Sequence, residues 1–119
     1  MKNYKKLRIW QQGIHIVKMT YAITKKLPDS EKFNLVSQMN RACVSIPSNI
    51  AEGSSRNSDK DFRRFLQISL GRCFELDTQC EVINELYPDL EQEIEHLQSV
   101  IDEECRMIQG FINKVSGNK

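Results

Sequence analysis

The feature that most constrains this chain is an apolar row in its second half: Phe62, Leu66, Ser69, Cys73, Leu76, Cys80, Ile83 and Tyr87. The row alternates steps of four and three without a fault. Only an α-helix carries that spacing on one face, and so long a seam needs other helices to cover it. Ser58 with Asp61 three residues later resembles a capping box with Asp in place of the usual Glu, and Pro88-Asp89 closes the far end, so a helix is predicted over 59–87.

The rest of the chain offers matching partners. Leu90, Ile94, Leu97, Ile101, Cys105, Ile108, Ile112 and Val115 predict a helix over 89–115. Leu7, Trp10, Ile14, Val17 and Tyr21 predict one over 5–27, with those five residues as its core face. Leu27-Pro28-Asp29-Ser30 then breaks the helix, with Asp29 or Ser30 as the cap of the next. That next helix, 31–53, uses Phe33, Val36, Met39 or Asn40, Cys43, Ile46 and Ile50, and Gly53 suits the left-handed position that ends it. Four helices joined by short links, with no strand-like alternation, predict one all-α domain over 1–119, an antiparallel up-down-up-down four-helix bundle.

Two features exceed what a monomeric bundle needs. Ile9, Ile16, Met19 and Ile23 lie off the chosen stripe of the first helix, and Phe65, Leu70, Phe74, Val82 and Leu86 lie off the seam of the third. The first set reads as a subunit interface, with a wide buried face inside the monomer as the alternative. Within 41–53, Arg41, Ser45, Asn49 and Glu52 form a polar row around Pro47, which lacks an N–H for the carbonyl of Cys43 and predicts a bend. If the second and third helices pack antiparallel, Arg41 or Asn49 reaches Glu75, and the five polar residues read as a network that fixes register and bend.

Composition excludes several classes. The 119 residues are 39% apolar and 28% charged with few Gly and Pro, a globular balance. No apolar run approaches the roughly 20 residues of a membrane span, and no secretory leader is recognisable, which predicts a cytoplasmic protein without a membrane partner. Cys43, Cys73, Cys80 and Cys105 lack metal-site spacing and read as reduced, buried thiols. His15 and His96 are isolated. Glu93 and His96 match one Glu-x-x-His pair of a di-iron bundle, but a second pair is missing. With no phosphate-binding loop or nucleophile motif either, no enzyme activity, metal or cofactor is expected.

The Gln38–Gly53 stretch, QMNRACVSIPSNIAEG, followed by Arg56, Phe62, Phe65-Leu66 and Glu75-Leu76, resembles the small proteins encoded within intervening sequences of bacterial 23S ribosomal RNA genes. Trp10 and Phe33 after Pro28 extend the resemblance over nearly the whole chain. Gly71-Arg72 stands where that family usually has Gly-Ser, and Cys43 where it often has a small residue. The resemblance implies a four-helix bundle assembled as a ring-like homopentamer and supplies no catalytic residues. The chain is also similar to the accessory protein of diversity-generating retroelements, a related bundle that binds nucleic acid and a reverse transcriptase. That similarity implies a nucleic-acid-processing protein as a further partner.

Charge points the same way. The net charge is only +1, yet residues 1–28 hold seven bases and no acid, while residues 88–119 set three bases against seven acids. Lys5, Lys6, Arg8, Lys18, Lys25 and Lys26 of the first helix, with Arg56, Lys60, Arg63 and Arg64 around the start of the third, are the candidate contacts to phosphates of structured RNA or DNA. The competing expectation is a protein-interaction scaffold, in which the basic first helix of one subunit meets the acidic last helix of another.

Overall fold

The computed structural model describes residues 3–117; Lys2 and the last two residues of the polar tail lie outside it. Four helices carry the chain: α1 (Arg8–Thr24), α2 (Leu35–Ser54), α3 (Asp59–Leu86) and α4 (Glu91–Val115). Short 3-10 turns at Tyr4–Lys6, Asp29–Glu31 and Pro88–Leu90 precede α1, α2 and α4. No strand occurs among the described residues.

The α3 seam is as expected. Phe62, Leu66, Ser69, Cys73, Leu76, Cys80 and Ile83 are buried, Tyr87 is half-buried, and Ser58 Oγ accepts from Asp61 N at 3.1 Å to cap the first turn. The α4 stripe is buried at Ile94, Leu97, Ile101, Ile108 and Ile112, but Cys105 is only half-buried and Glu104 is fully enclosed. Contacts run from early positions of one helix to late positions of another. Gln12 donates to Glu103 while Lys26 meets Glu93 at 2.7 Å; Gln98 donates to Asp77 while Phe62 and Phe111 meet edge to face at 5.7 Å between ring centres.

Helix α1 is rotated by one position, roughly 100°, from the expected core face, and Leu7, Trp10, Val17 and Met19 still pack against the core, so the alternative of a wide buried face within the monomer fits it. Ile9, Gly13, Ile16, Thr20 and Ile23 form its buried row, with buried Leu27 beyond its end, whereas Ile14 and Tyr21 of the expected core face are exposed and Leu7, Trp10 and Val17 half-buried. The supposed interface residues Ile9, Ile16 and Ile23 are core, and Met19 is half-buried. Small residues explain the rotation. A methyl group on Gly13 would stand 3.2 Å from Pro47 Cβ, so Gly13 lets α1 approach α2 closely, and Thr20 sends its hydroxyl back to the Ile16 carbonyl at 2.7 Å.

Helix α2 differs from the expectation at its two ends. It begins at Leu35, without a side-chain cap from Asp29 or Ser30, and Phe33 lies before it with 85% of its surface exposed. Between its ends it runs through Pro47, which is buried, as one continuous helix of the kind expected over 31–53. It also continues past Gly53, which is helical; the positive-φ glycine among the described residues is Gly117, at 78°. Gly53 serves packing instead, because a Cβ there would lie 2.7 Å from Phe65 Cβ.

Cys43, Cys73 and Cys80 are free and buried, and Cys105 is free and half-buried. Burial pushes the Cys43 thiol up to about 11 and, with Asp77 and Glu81 nearby, Cys80 up to about 12. Such thiols carry almost no thiolate at neutral pH.

Candidate nucleic-acid interface

The fold sorts the charges by end. Residues 4–6 form the turn before α1 and touch α2, and a groove joins Lys6 and Arg8 to Phe111 and Lys114 near the end of α4. The Phe62–Phe111 contact brings the start of α3 to the same place. Among the described residues, this end gathers Lys5, Lys6, Arg8, Arg56, Lys60, Arg63, Arg64 and Lys114 against Glu52, Asp59 and Asp61. Eight cations face three anions. At the far end the ratio reverses: Asp29, Glu31, Glu81, Glu85, Asp89, Glu91, Glu93 and Glu95 stand against Lys25, Lys26 and Lys32.

The ten candidate cations therefore separate. Seven of them, Lys5, Lys6, Arg8, Arg56, Lys60, Arg63 and Arg64, share the basic end, all exposed except half-buried Arg63. Lys18 is exposed midway along α1, and Lys25 and Lys26 fall among the acids of the other end. Lys26 Nζ binds Glu93 at 2.7 Å, and that bond holds the Glu93 carboxyl below its ordinary value. Part of the basic charge of residues 1–28 is thus used against α4 within one chain. Lys114 was not among the expected cations, since it ends an acidic helix; its place emerges only once the end of α4 is set beside the start of α1.

Two of the cations are held in place by an aromatic ring. The guanidinium carbons of Arg56 and Arg64 lie 4.7 and 4.8 Å from the ring centre of buried Phe65, which favours both electrostatically. Arg56 also bonds Glu52 at 2.9 Å. These guanidinium groups are oriented before any partner arrives.

The polar row does not form the expected internal network. Asn49 Nδ2 donates to the Ser45 carbonyl and hydroxyl, both at 2.8 Å, so that pair is local to α2. Arg41 donates to Ser37 at 3.3 Å, and Glu75 takes Arg72 at 3.1 Å rather than Arg41 or Asn49. Arg41, Glu52 and Glu75 are exposed because positions 41 and 52 lie on the outer side of α2, away from its buried row. Arg41, Ser45 and Glu75 do share an open depression of about 420 Å³ between α2 and α3, which Asn49 and Glu52 do not line. The buried bond between these helices is a different one: Ser69 Oγ donates to the Ile46 carbonyl at 2.9 Å.

The polar residue that sequence reasoning missed is Glu104. It is fully buried, neither carboxylate oxygen has a partner, and Oε2 would lie 3.4 Å from a methyl placed on Gly13. Burial, with Cys105 and Glu103 nearby, raises its carboxyl to about 8, so it is mostly protonated at neutral pH. The available signal was its spacing, three residues after Ile101 and four before Ile108. Among the described residues, no three His, Cys, Asp or Glu side chains gather to hold a metal ion, and no helix is long and apolar enough to cross a membrane.

The family model described as 23S rRNA-intervening sequence protein matches residues 5–110. The chain belongs to that family. A crystal structure of a protein of unknown function from the S23 ribosomal protein family of Bacteroides thetaiotaomicron superimposes with a TM-score of 0.80. It is 21% identical and the match covers 87% of this chain and 97% of that one, a likeness of fold. No curated protein matches the chain. Membership of the 23S rRNA-intervening sequence family agrees with the resemblance carried by residues 38–53.

Proposed function

We propose that this member of the 23S rRNA-intervening sequence family is a non-enzymatic, homo-oligomeric protein of the cytoplasm that binds RNA or DNA through the basic end of its bundle. The observation that carries the reading is the convergence of eight cations from four segments on one end, against three acids. Phosphate recognition needs such a concentration of Lys and Arg, and the net charge of +1 hides it. A nucleic-acid-processing protein is the further partner that fits this role.

The test is salt-dependent retention of structured RNA and of duplex DNA. Replacing Lys5, Lys6 and Arg8 together with Gln is expected to weaken retention and lower the slope of log affinity against log salt by about 2 to 3, near 0.9 per lost phosphate contact. Replacing Lys25 and Lys26 should leave that slope unchanged. Equal effects of the two variants, or no retention by the unaltered protein at low salt, defeat the reading.

The contact pairs support an up-down-up-down order, and exposed apolar side chains support self-association. Ile14 and Tyr21 of α1 and Val44 of α2 are 44%, 39% and 41% exposed, and Phe74 and Leu86 of α3 even more so. We read these, rather than Ile9, Ile16 and Ile23, as the faces of a ring-like homopentamer. Light scattering should find a multiple of the 13.9 kDa chain mass, and a double substitution of Tyr21 and Val44 by Glu should lower it with helix content retained. A particle of monomer mass before substitution would remove the assembly from the proposal.

A further inference from the structure

The groove between the start of α1 and the end of α4 has a composition that the general charge of this end does not explain. It encloses about 360 Å³, its cations are Lys6, Arg8 and Lys114, and no carboxylate lines it. Leu7, Met107 and Phe111 supply an apolar lining, each packed on the core on one side and only half-buried. A surface that merely attracts phosphates needs no such floor. A ligand that matches it joins a flat apolar group to an anion.

Gly110 keeps the groove open. It lies inside α4, where Gly is less favourable than Ala by about 1 kcal/mol, and a Cβ there would meet nothing within 4 Å. Gly53 is the contrast, since its missing side chain is filled by Phe65. At Gly110 no neighbouring helix uses the space. Beyond Arg8 and Met107 lies a second depression bordered by Gln11, Gln12 and Glu103, where Gln11 donates to the Lys5 carbonyl and Gln12 to Glu103, so the cationic, carboxylate-free groove ends there.

We propose that this groove seats an unpaired base of a single-stranded nucleic acid, with the adjoining phosphates on Lys6, Arg8 and Lys114. The inference rests on the nucleic-acid reading above and sharpens it from charge to strandedness. In a duplex the base faces are stacked and unavailable; in a single strand they are free to lie on Phe111 and its apolar neighbours. Stacking on an aromatic side chain is sequence-tolerant, so selection is for unpaired bases rather than for one sequence.

The discriminating variant is Gly110→Leu, which fills the groove from a position with room for a side chain and removes no charge. Fluorescence anisotropy would follow a labelled oligouridylate, an oligothymidylate and an RNA duplex of equal length, with circular dichroism confirming the helices. Both single strands are expected to bind the unaltered protein more tightly than the duplex. Gly110→Leu should weaken single-strand binding by about tenfold, the scale of one lost base stack, and leave duplex binding unchanged. Lys6→Gln with Lys114→Gln should weaken all three. If Gly110→Leu leaves single-strand affinity intact while the lysine variant still weakens every probe, the groove assignment is wrong and the charge reading survives. If the unaltered protein binds none of the probes, both fall.

Discussion

Unfolding by urea is expected to become easier as pH rises from about 4.5 towards 8, and Glu104→Gln is expected to remove most of that dependence. The buried carboxyl holds its proton up to about 8 in the fold, against an ordinary value of 4.5 once the chain unfolds. Between those values the folded protein binds the extra proton, so stability is full below the lower value and is lost as pH approaches the upper one. Above it both states are ionised and the loss stops growing.

Each tenfold displacement of a protonation equilibrium is worth about 1.4 kcal/mol, which makes the whole passage from 4.5 to about 8 on the order of 5 kcal/mol. That is a large share of a small domain's stability. Glutamine keeps the shape without titrating, so the variant and the parent should diverge with pH, the variant being more stable near pH 8. Parallel curves would show that Glu104 gains a compensating partner when it ionises. Cys73 and Cys105 flank it, and Glu103 precedes it, but none of these supplies a positive charge.

The second large effect is expected at Gly53. Alanine in a helix interior is ordinarily better than glycine by about 1 kcal/mol, yet Gly53→Ala should destabilise by about 2 to 3 kcal/mol, because overpacking dominates. The atom it would strike, Phe65 Cβ at 2.7 Å, is fixed to the α3 backbone and cannot rotate aside. The helices must separate, and Arg56, just past the end of α2, would be drawn off the Phe65 ring, whereas Arg64 on α3 itself would keep its place. Gly71→Ala is the control: nothing lies within 4 Å of its Cβ, and it should stabilise by about 0.5 to 1 kcal/mol. Denaturant midpoints of the three proteins decide it, and a Gly53 variant as stable as the Gly71 variant would refute the close approach.

Helix existence was legible in the sequence because long periodic seams leave little choice, as Phe62 to Tyr87 illustrate. Orientation was less so where size misled. In α1 two rows share the helical period, and the bulkier one, with Trp10 and Tyr21, looked like the core. The true row holds Gly13 and Thr20, whose smallness is what allows Pro47 to come near. Hydrophobicity alone undervalues residues that a core uses for their lack of volume.

Glu104 escaped for the related reason that a charged residue on a seam looks like a gap, so Cys105 beside it was chosen instead. The basic residues were legible individually, but their grouping was not. It depends on which helix ends meet, and that is settled by contacts such as Phe62 with Phe111, far apart in the chain. The polar row at 41–52 was legible as a motif and misleading as a network, since its period of about one turn suits an exposed helix side as well as a buried one.

The meeting of Gly13, Pro47 and Glu104 has a consequence for how relatives of this chain can change. Pro47 ring carbons and a Glu104 oxygen converge on the same vacant spot above Gly13, within 3.2 to 3.4 Å of where a methyl would be. The first position is therefore the constrained one: alanine there requires the Pro47 ring or the Glu104 carboxyl to give by a few tenths of an ångström. A lineage that acquires it should tolerate it best where the second or third position has become smaller, whereas a change at Glu104 that adds no bulk is free to come alone.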